Sequence, residues 1–136
     1  MTERKSSKQL IMRDVMHAIP HTVGAEQPLA VAKELMTKYG IRHLPVRSLG
    51  RIVGILSDRD VNFAIAVDGQ KAENIQVKDA CSQEPYTVAP TQQLSEVAAQ
   101  MSESRLGCVL IMEGDNLLGI FTTVDACRVL SELLHS

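Results

Sequence analysis

The stretch Gly54-Ile55-Leu56-Ser57-Asp58-Arg59-Asp60 decides the fold, because it returns 65 residues later as Gly119-Ile120-Phe121-Thr122-Thr123-Val124-Asp125. In both, an apolar run containing a glycine ends in a hydroxyl, and a carboxylate follows three residues on. Working outward from this pair, the chain aligns with itself without a gap, Met12 to Ile65 against Val77 to Leu130. Asp14 meets Asp79, Pro20 meets Pro85, Thr22-Val23 meets Thr87-Val88, Leu29 meets Leu94 and Met36 meets Met101. An ungapped match of identities and of apolar spacing is the mark of a duplicated structural unit.

Each copy reads as the same series of elements, β-α-β-β-α. Thr22-Val23 and Thr87-Val88 are short extended pieces. A helix follows, with Leu29, Ala32, Leu35, Met36 and Tyr39 on one face and Gly40 to stop it; Leu94, Val97, Ala98 and Met101 repeat the pattern. Hairpin strands His43 to Arg47 and Ile52 to Ser57 are matched by Cys108 to Met112 and Leu117 to Thr122. Closing helices begin near Asp58 and Thr123, with Val61, Ala64 and Ile65, then Ala126, Val129, Leu130 and Leu133, as their buried faces. The uninterrupted run Ile52-Val53-Gly54-Ile55-Leu56 predicts burial on both strand faces. One copy alone, about 60 residues, has a marginal core. The expectation is an α/β (α+β) fold in which tandem repeats pack sheet to sheet as a pseudo-two-fold pair. Residues 1–8 are expected to be a flexible N-terminus, 9–68 the first repeat, 69–74 a polar linker and 75–136 the second repeat, all in one compact module.

Composition excludes several functions. Of 136 residues, 45% are hydrophobic and only 3% aromatic, so the core is aliphatic and base-stacking platforms are scarce. A net charge of −2 gives no basic field for a nucleic-acid backbone. No apolar run reaches the roughly 18 residues of a membrane span, and the charged start leads into no secretory stretch, which points to the cytoplasm. Cys81, Cys108 and Cys127 are odd in number and widely spaced, suggesting neither a disulfide framework nor a zinc site. Cys108 reads as a core thiol, and the four histidines lack metal-ligand spacing. No base or metal stands ready for catalysis, so neither enzymatic activity nor a catalytic cofactor is expected.

The recurring turn has two readings. Ser/Thr-x-x-Asp at a helix start is a capping box, satisfying free backbone N–H groups. The same parts suit a nucleotide: a carboxylate can accept both ribose hydroxyls, a helix N-terminus favours phosphate, Arg59 can pair with phosphate, and the glycine would let a ligand approach the backbone.

On these residues the chain resembles a pair of cystathionine β-synthase (CBS) domains, a regulatory module found in many enzymes, channels and stand-alone proteins. The likeness rests on Met12-Arg13-Asp14-Val15-Met16, Pro20-His21-Thr22-Val23, Gly40-Ile41-Arg42-His43-Leu44-Pro45-Val46, Pro85-Tyr86-Thr87-Val88 and the two turns. It implies two clefts between the repeats, each able to hold an adenosine-containing ligand. One would have Ser57 and Asp60 on the ribose, Thr87, Val88 and Leu106 near the base, and Arg42 and Arg59 facing phosphate. The other would have Thr122 and Asp125 on the ribose and Thr22, Val23 and Ile41 near the base. His43 reads equally as a phosphate neighbour or a strand-edge residue, and Tyr86 as an adenine contact or a structural ring.

The clefts differ, since Arg42-His43 becomes Gly107-Cys108 and Arg59 becomes Val124. The first is expected to take the more charged ligand, and the second to bind weakly or to suit adenosine with little phosphate. The function implied is a non-enzymatic sensor, in which AMP, ADP, ATP or a related adenosyl compound serves as regulatory ligand and an effector protein receives the signal. Homodimerisation through helix faces ending in Leu130, Leu133 and Leu134 is implied as well. The alternative is a structural or protein-interaction scaffold with unoccupied clefts.

Overall fold

The structure is a computed structural model and describes residues 9–18 and 20–135; the flexible terminus expected at residues 1–8 lies outside them. In chain order the elements are α1 Met12–Val15, β1 His17–Ala18, β2 Val23–Gly24, α2 Leu29–Tyr39, β3 His43–Ser48, β4 Arg51–Ser57 and α3 Asp58–Asp68. Two 3-10 turns follow, Ala72–Asn74 and Val77–Asp79, and then β5 Thr87–Val88, α4 Leu94–Ser104, β6 Cys108–Glu113, β7 Asn116–Thr122 and α5 Thr123–Leu134. The chain is mixed α/β with two sheets, each built mainly from one copy of the repeat. No helix among the described residues is long and apolar enough to cross a membrane.

Two compact units form, residues 20–85 and residues 9–18 with 86–135. In the first, the strand order is β2-β3-β4, with β2 parallel to β3 and β3 antiparallel to β4. Leu29, Ala32 and Met36 of α2 meet Val23, Leu44, Val46, Leu56 and Val61 in an aliphatic core. The β3–β4 turn is Leu49-Gly50, with both φ values positive (52° and 77°), the type I′ geometry that matches strand twist. In the second unit the order is β1-β7-β6-β5. Its core gathers Met12, Val15, Val88, Leu94, Val97, Met101, Val109, Ile111, Phe121 and Val129.

The compact units do not follow the linear order of the repeats. The lead-in of copy one, α1 and β1, belongs with copy two, where His17 and Ala18 pair with Ile120 and Gly119. The lead-in of copy two belongs with copy one, where Ser82 bridges Ile55. The bonds holding them repeat at the same spacing. Leu29 N–H donates to Ile75 O (2.8 Å), Val77 N–H to Gln27 O (2.8 Å) and Lys78 N–H to Ala25 O (2.8 Å). Their counterparts are Leu94 to Leu10 (2.9 Å), Met12 to Gln92 (2.9 Å) and Arg13 to Pro90 (2.9 Å). These short elements carry no periodicity long enough to read from sequence.

Some burial expectations fail. Side chains alternate across a strand, so β4 buries Gly54 and Leu56 but leaves Val53 38% exposed near the hairpin turn. On α5 Val129 is buried and Leu130 is 56% exposed, because the two point a third of a turn apart. Tyr39 leaves the core face of α2 and stacks on His21 with ring centroids 3.7 Å apart.

Candidate functional site

Both recurring turns close as capping boxes. Ser57 ends β4 in extended backbone and starts α3. Its Oγ accepts from Asp60 N–H (3.0 Å), and its own N–H donates to Asp60 Oδ2 (2.9 Å). Thr122 does the same for α5: Oγ1 accepts from Asp125 N–H (3.3 Å), and its N–H donates to Asp125 Oδ2 (2.9 Å). Thr122 Oγ1–H also donates to Asp125 Oδ2 (3.1 Å). Capping is thus realised, and it uses Oδ2 of each carboxylate. The other oxygen decides what remains for a ligand. Asp60 Oδ1 has no protein partner among the described residues, whereas Asp125 Oδ1 lies 3.5 Å from Arg128 Nη2.

The glycines have a different task from the one expected. Gly54 stands against the chain's own backbone, where an added Cβ would collide with the carbonyl oxygen of Ser82. At Gly119 a Cβ would stand 2.6 Å from Met16 Sδ and 2.9 Å from His17 O. Both admit a lead-in segment across the sheet, so close approach to a ligand does not account for them.

Around the first turn the unit assembles most of its expected polar residues. His43 lies directly opposite Ser57 in the β3–β4 ladder. The carbonyl of Arg42 accepts from Asp58 N–H (3.0 Å), which fixes the Arg42 backbone at the start of α3, beside Arg59. Burial holds the His43 imidazole below its ordinary range; Asp58 and Asp60 pull upward less strongly, and Arg42 pushes down with burial. His43 therefore belongs to the electrostatic surroundings of this turn. Thr22 and Val23 lie elsewhere in the same unit, since Val23 opposes Val46, three residues along β3 from His43. The Val23 side chain is in the core, and Ile41 packs against that core.

The second turn has the same backbone and fewer charges. Cys108 takes the place of His43 opposite Thr122, and Thr123 N–H donates to Gly107 O (3.1 Å). Burial, with Asp125 adding to it, pushes the Cys108 thiol up to about 12, so it stays protonated and apolar in character. Val124, in the place of Arg59, is 73% exposed. Val88 lies in the unit's core, with Leu106 and Tyr86 packed against it, so Tyr86 has a structural contact. Thr87 is exposed. No group of three or more His, Cys, Asp or Glu able to hold a metal occurs among the described residues.

Sequence reasoning missed Arg128. Its guanidinium reaches Asp125, the Val15 carbonyl (3.2 Å) and Glu132 (3.5 Å). The signal was available in the repeat, where Phe63 stands at the matching position.

The CBS domain family model matches residues 12–67 and 77–132. An inosine-5′-monophosphate dehydrogenase of Korarchaeum cryptofilum is 32% identical over 124 residues, 89% of this chain and 23% of the relative. The chain thus spans less than a quarter of that relative's length. Among solved structures, AcuB from Vibrio cholerae superposes with a TM-score of 0.86 at 30% identity, over 93% of this chain and 96% of that one. The CBS domain pair of protein MJ0100, solved in complex with 5′-methylthioadenosine and S-adenosyl-L-methionine, gives a TM-score of 0.82 at 22% identity. That match covers 90% of this chain and 97% of that one, and is a likeness of fold.

Proposed function

Since the chain belongs to the CBS domain family, we propose that it is a non-enzymatic regulatory module that binds an adenosine-containing ligand at its Ser/Thr-x-x-Asp turns and passes the occupied state to a partner protein. The observation that carries this reading is Asp60 Oδ1, which keeps no protein partner among the described residues after capping; Ser57 shares the cap, His43 lies in electrostatic reach, and Arg42 and Arg59 flank the same turn along the chain. A carboxylate oxygen there accepts a ribose hydroxyl, and the arginines supply charge for phosphate. The adenosyl ligands of the MJ0100 pair support the ligand class.

In this reading the first turn takes AMP, ADP or ATP, with Thr87, Val88 and Leu106 as base contacts on the family pattern. The second turn, with Thr22, Val23 and Ile41, takes adenosine carrying little phosphate. Competition between AMP and ATP at one turn would report the cell's adenylate ratio. Self-association through the helix face ending in Leu130, Leu133 and Leu134, all three exposed, belongs to the same proposal, as does a cytoplasmic location. A ligand moves such a module only through unequal affinity for two states.

The competing reading is an interaction scaffold, favoured by the fact that each carboxylate already serves as a helix cap. Thermal shift with adenine and guanine nucleotides, S-adenosylmethionine and NAD separates the two. A ligand at about 100 times its Kd should add about 2.7 kcal/mol of stability. A shift abolished by Asp60→Asn supports the sensor, no shift with any compound supports the scaffold, and turnover of nucleotide would overturn both.

A further inference from the structure

We propose that Arg128 is a specificity-determining latch on the second turn, holding the carboxylate oxygen of Asp125 that a ribose would need. The inference rests on the ligand reading above and goes further, because it explains by one side chain why two matching caps offer different sites.

Asp125 Oδ2 is committed to Thr122 through two hydrogen bonds, 2.9 and 3.1 Å. Only Oδ1 remains, and Arg128 Nη2 lies 3.5 Å from it. The guanidinium is not loosely placed. The same Nη2 donates to the Val15 carbonyl at the end of α1 (3.2 Å), and Nη1 pairs with Glu132 Oε1 (3.5 Å). Three acceptors on two elements of one unit therefore fix its position. Arg128 and Asp125 are one helical turn apart on α5, the spacing at which side chains meet.

Copy one supplies the control. At the positions of Arg128 and Glu132 it has Phe63 and Val67, which are 68% and 70% exposed. Neither can bond a carboxylate, so the Asp60 Oδ1 has no protein partner among the described residues. The backbone, the reciprocal cap bonds and the acid recur in both copies; Thr122 adds a bond to Oδ2, and at Oδ1 the difference is the latch, present in one. A ribose that binds at Asp125 must displace Arg128, and displacement also frees the Val15 carbonyl, which ties occupancy of this turn to α1.

Adenosine is the probe, because without phosphate it cannot gain from the arginine's charge. Binding is measured by calorimetry on Asp60→Asn, which silences the first turn while keeping an acceptor for its cap. Adding Arg128→Phe, the residue type of copy one, should tighten adenosine at the second turn by about fivefold, the scale of one exposed ion pair. Arg128→Gln should move affinity in the same direction, and it guards against a packing fault in the phenylalanine variant. Unchanged or weaker adenosine binding in both variants, with normal binding at the first turn of Asp125→Asn, overturns the latch and leaves the ligand reading standing. No adenosyl binding in the unsubstituted protein or any variant overturns the ligand reading and the latch with it.

Discussion

Gly40 and Arg105 close the two equivalent helices with the same left-handed backbone, φ 64° and 55°, although only one of them is glycine. A side chain in that region crowds its own carbonyl at about 1–2 kcal/mol, partly offset by the freedom a glycine loses on folding. Arg105→Gly is therefore expected to stabilise the protein by about 0.5–1 kcal/mol, and Gly40→Ala to destabilise it by about 1 kcal/mol. Urea midpoints of the two variants, moving in opposite directions, are the check.

Gly54 and Gly119 are held to glycine by the chain's own lead-in segments. An alanine methyl at 54 meets the rigid carbonyl of Ser82, whereas at 119 the nearest atom is the flexible thioether of Met16. Gly54→Ala should cost more than about 2 kcal/mol, and Gly119→Ala less, because Met16 can shift and the backbone contact that then remains, His17 O at 2.9 Å, is milder than the clash with Ser82 O. Equal losses in chemical denaturation would contradict the assignment of the closer clash to backbone.

His43 makes stability depend on pH. Burial lowers its folded pKa, so in the window below the ordinary value near 6.5 the unfolded chain binds a proton that the folded chain does not. Stability attributable to this residue is full above that value, falls as pH drops, and levels off below the folded pKa. The difference in urea midpoint between pH 7.5 and 5.5 should shrink in His43→Gln.

The three thiols should separate by reactivity. Cys127 is exposed, Cys81 is raised chiefly by burial, and Cys108 is raised to about 12. Thiolate is the reacting form. At pH 8, an alkylating reagent followed by mass spectrometry should label Cys127 first, Cys81 more slowly, and Cys108 only when denaturant is present. Early labelling of Cys108 in the folded protein would show that its burial is misjudged.

The long elements were legible because they carry periodicity. The face of α2 from Leu29 to Met36, the hairpins on either side of Leu49-Gly50 and Gly114-Asp115, and the starts of α3 and α5 at Asp58 and Thr123 follow from spacing and turn chemistry. The Ser57/Asp60 and Thr122/Asp125 turns were visible as motifs, and the motif alone favoured a ligand over capping as their purpose. Geometry showed that capping occurs and identified the oxygen it leaves unused on Asp60. The role of Gly54 was misread because its neighbour, Ser82, is brought near only by the folded chain. Arg128 escaped notice because its acceptors include Val15, 113 residues away.

The traded lead-ins have a consequence for how such a chain could have arisen and how it comes apart. Two molecules carrying one copy each could complete each other's sheets by exchanging their lead-ins, as in domain swapping. Joining two copies in tandem makes the exchange internal. A single backbone cut within residues 69–71 would then yield two fragments, neither of which owns a whole unit: the first would still carry α1 and β1 of the unit built on copy two, and the second would still carry the Val77–Asp79 turn and Ser82 of the unit built on copy one. The nicked protein should stay associated until it is unfolded.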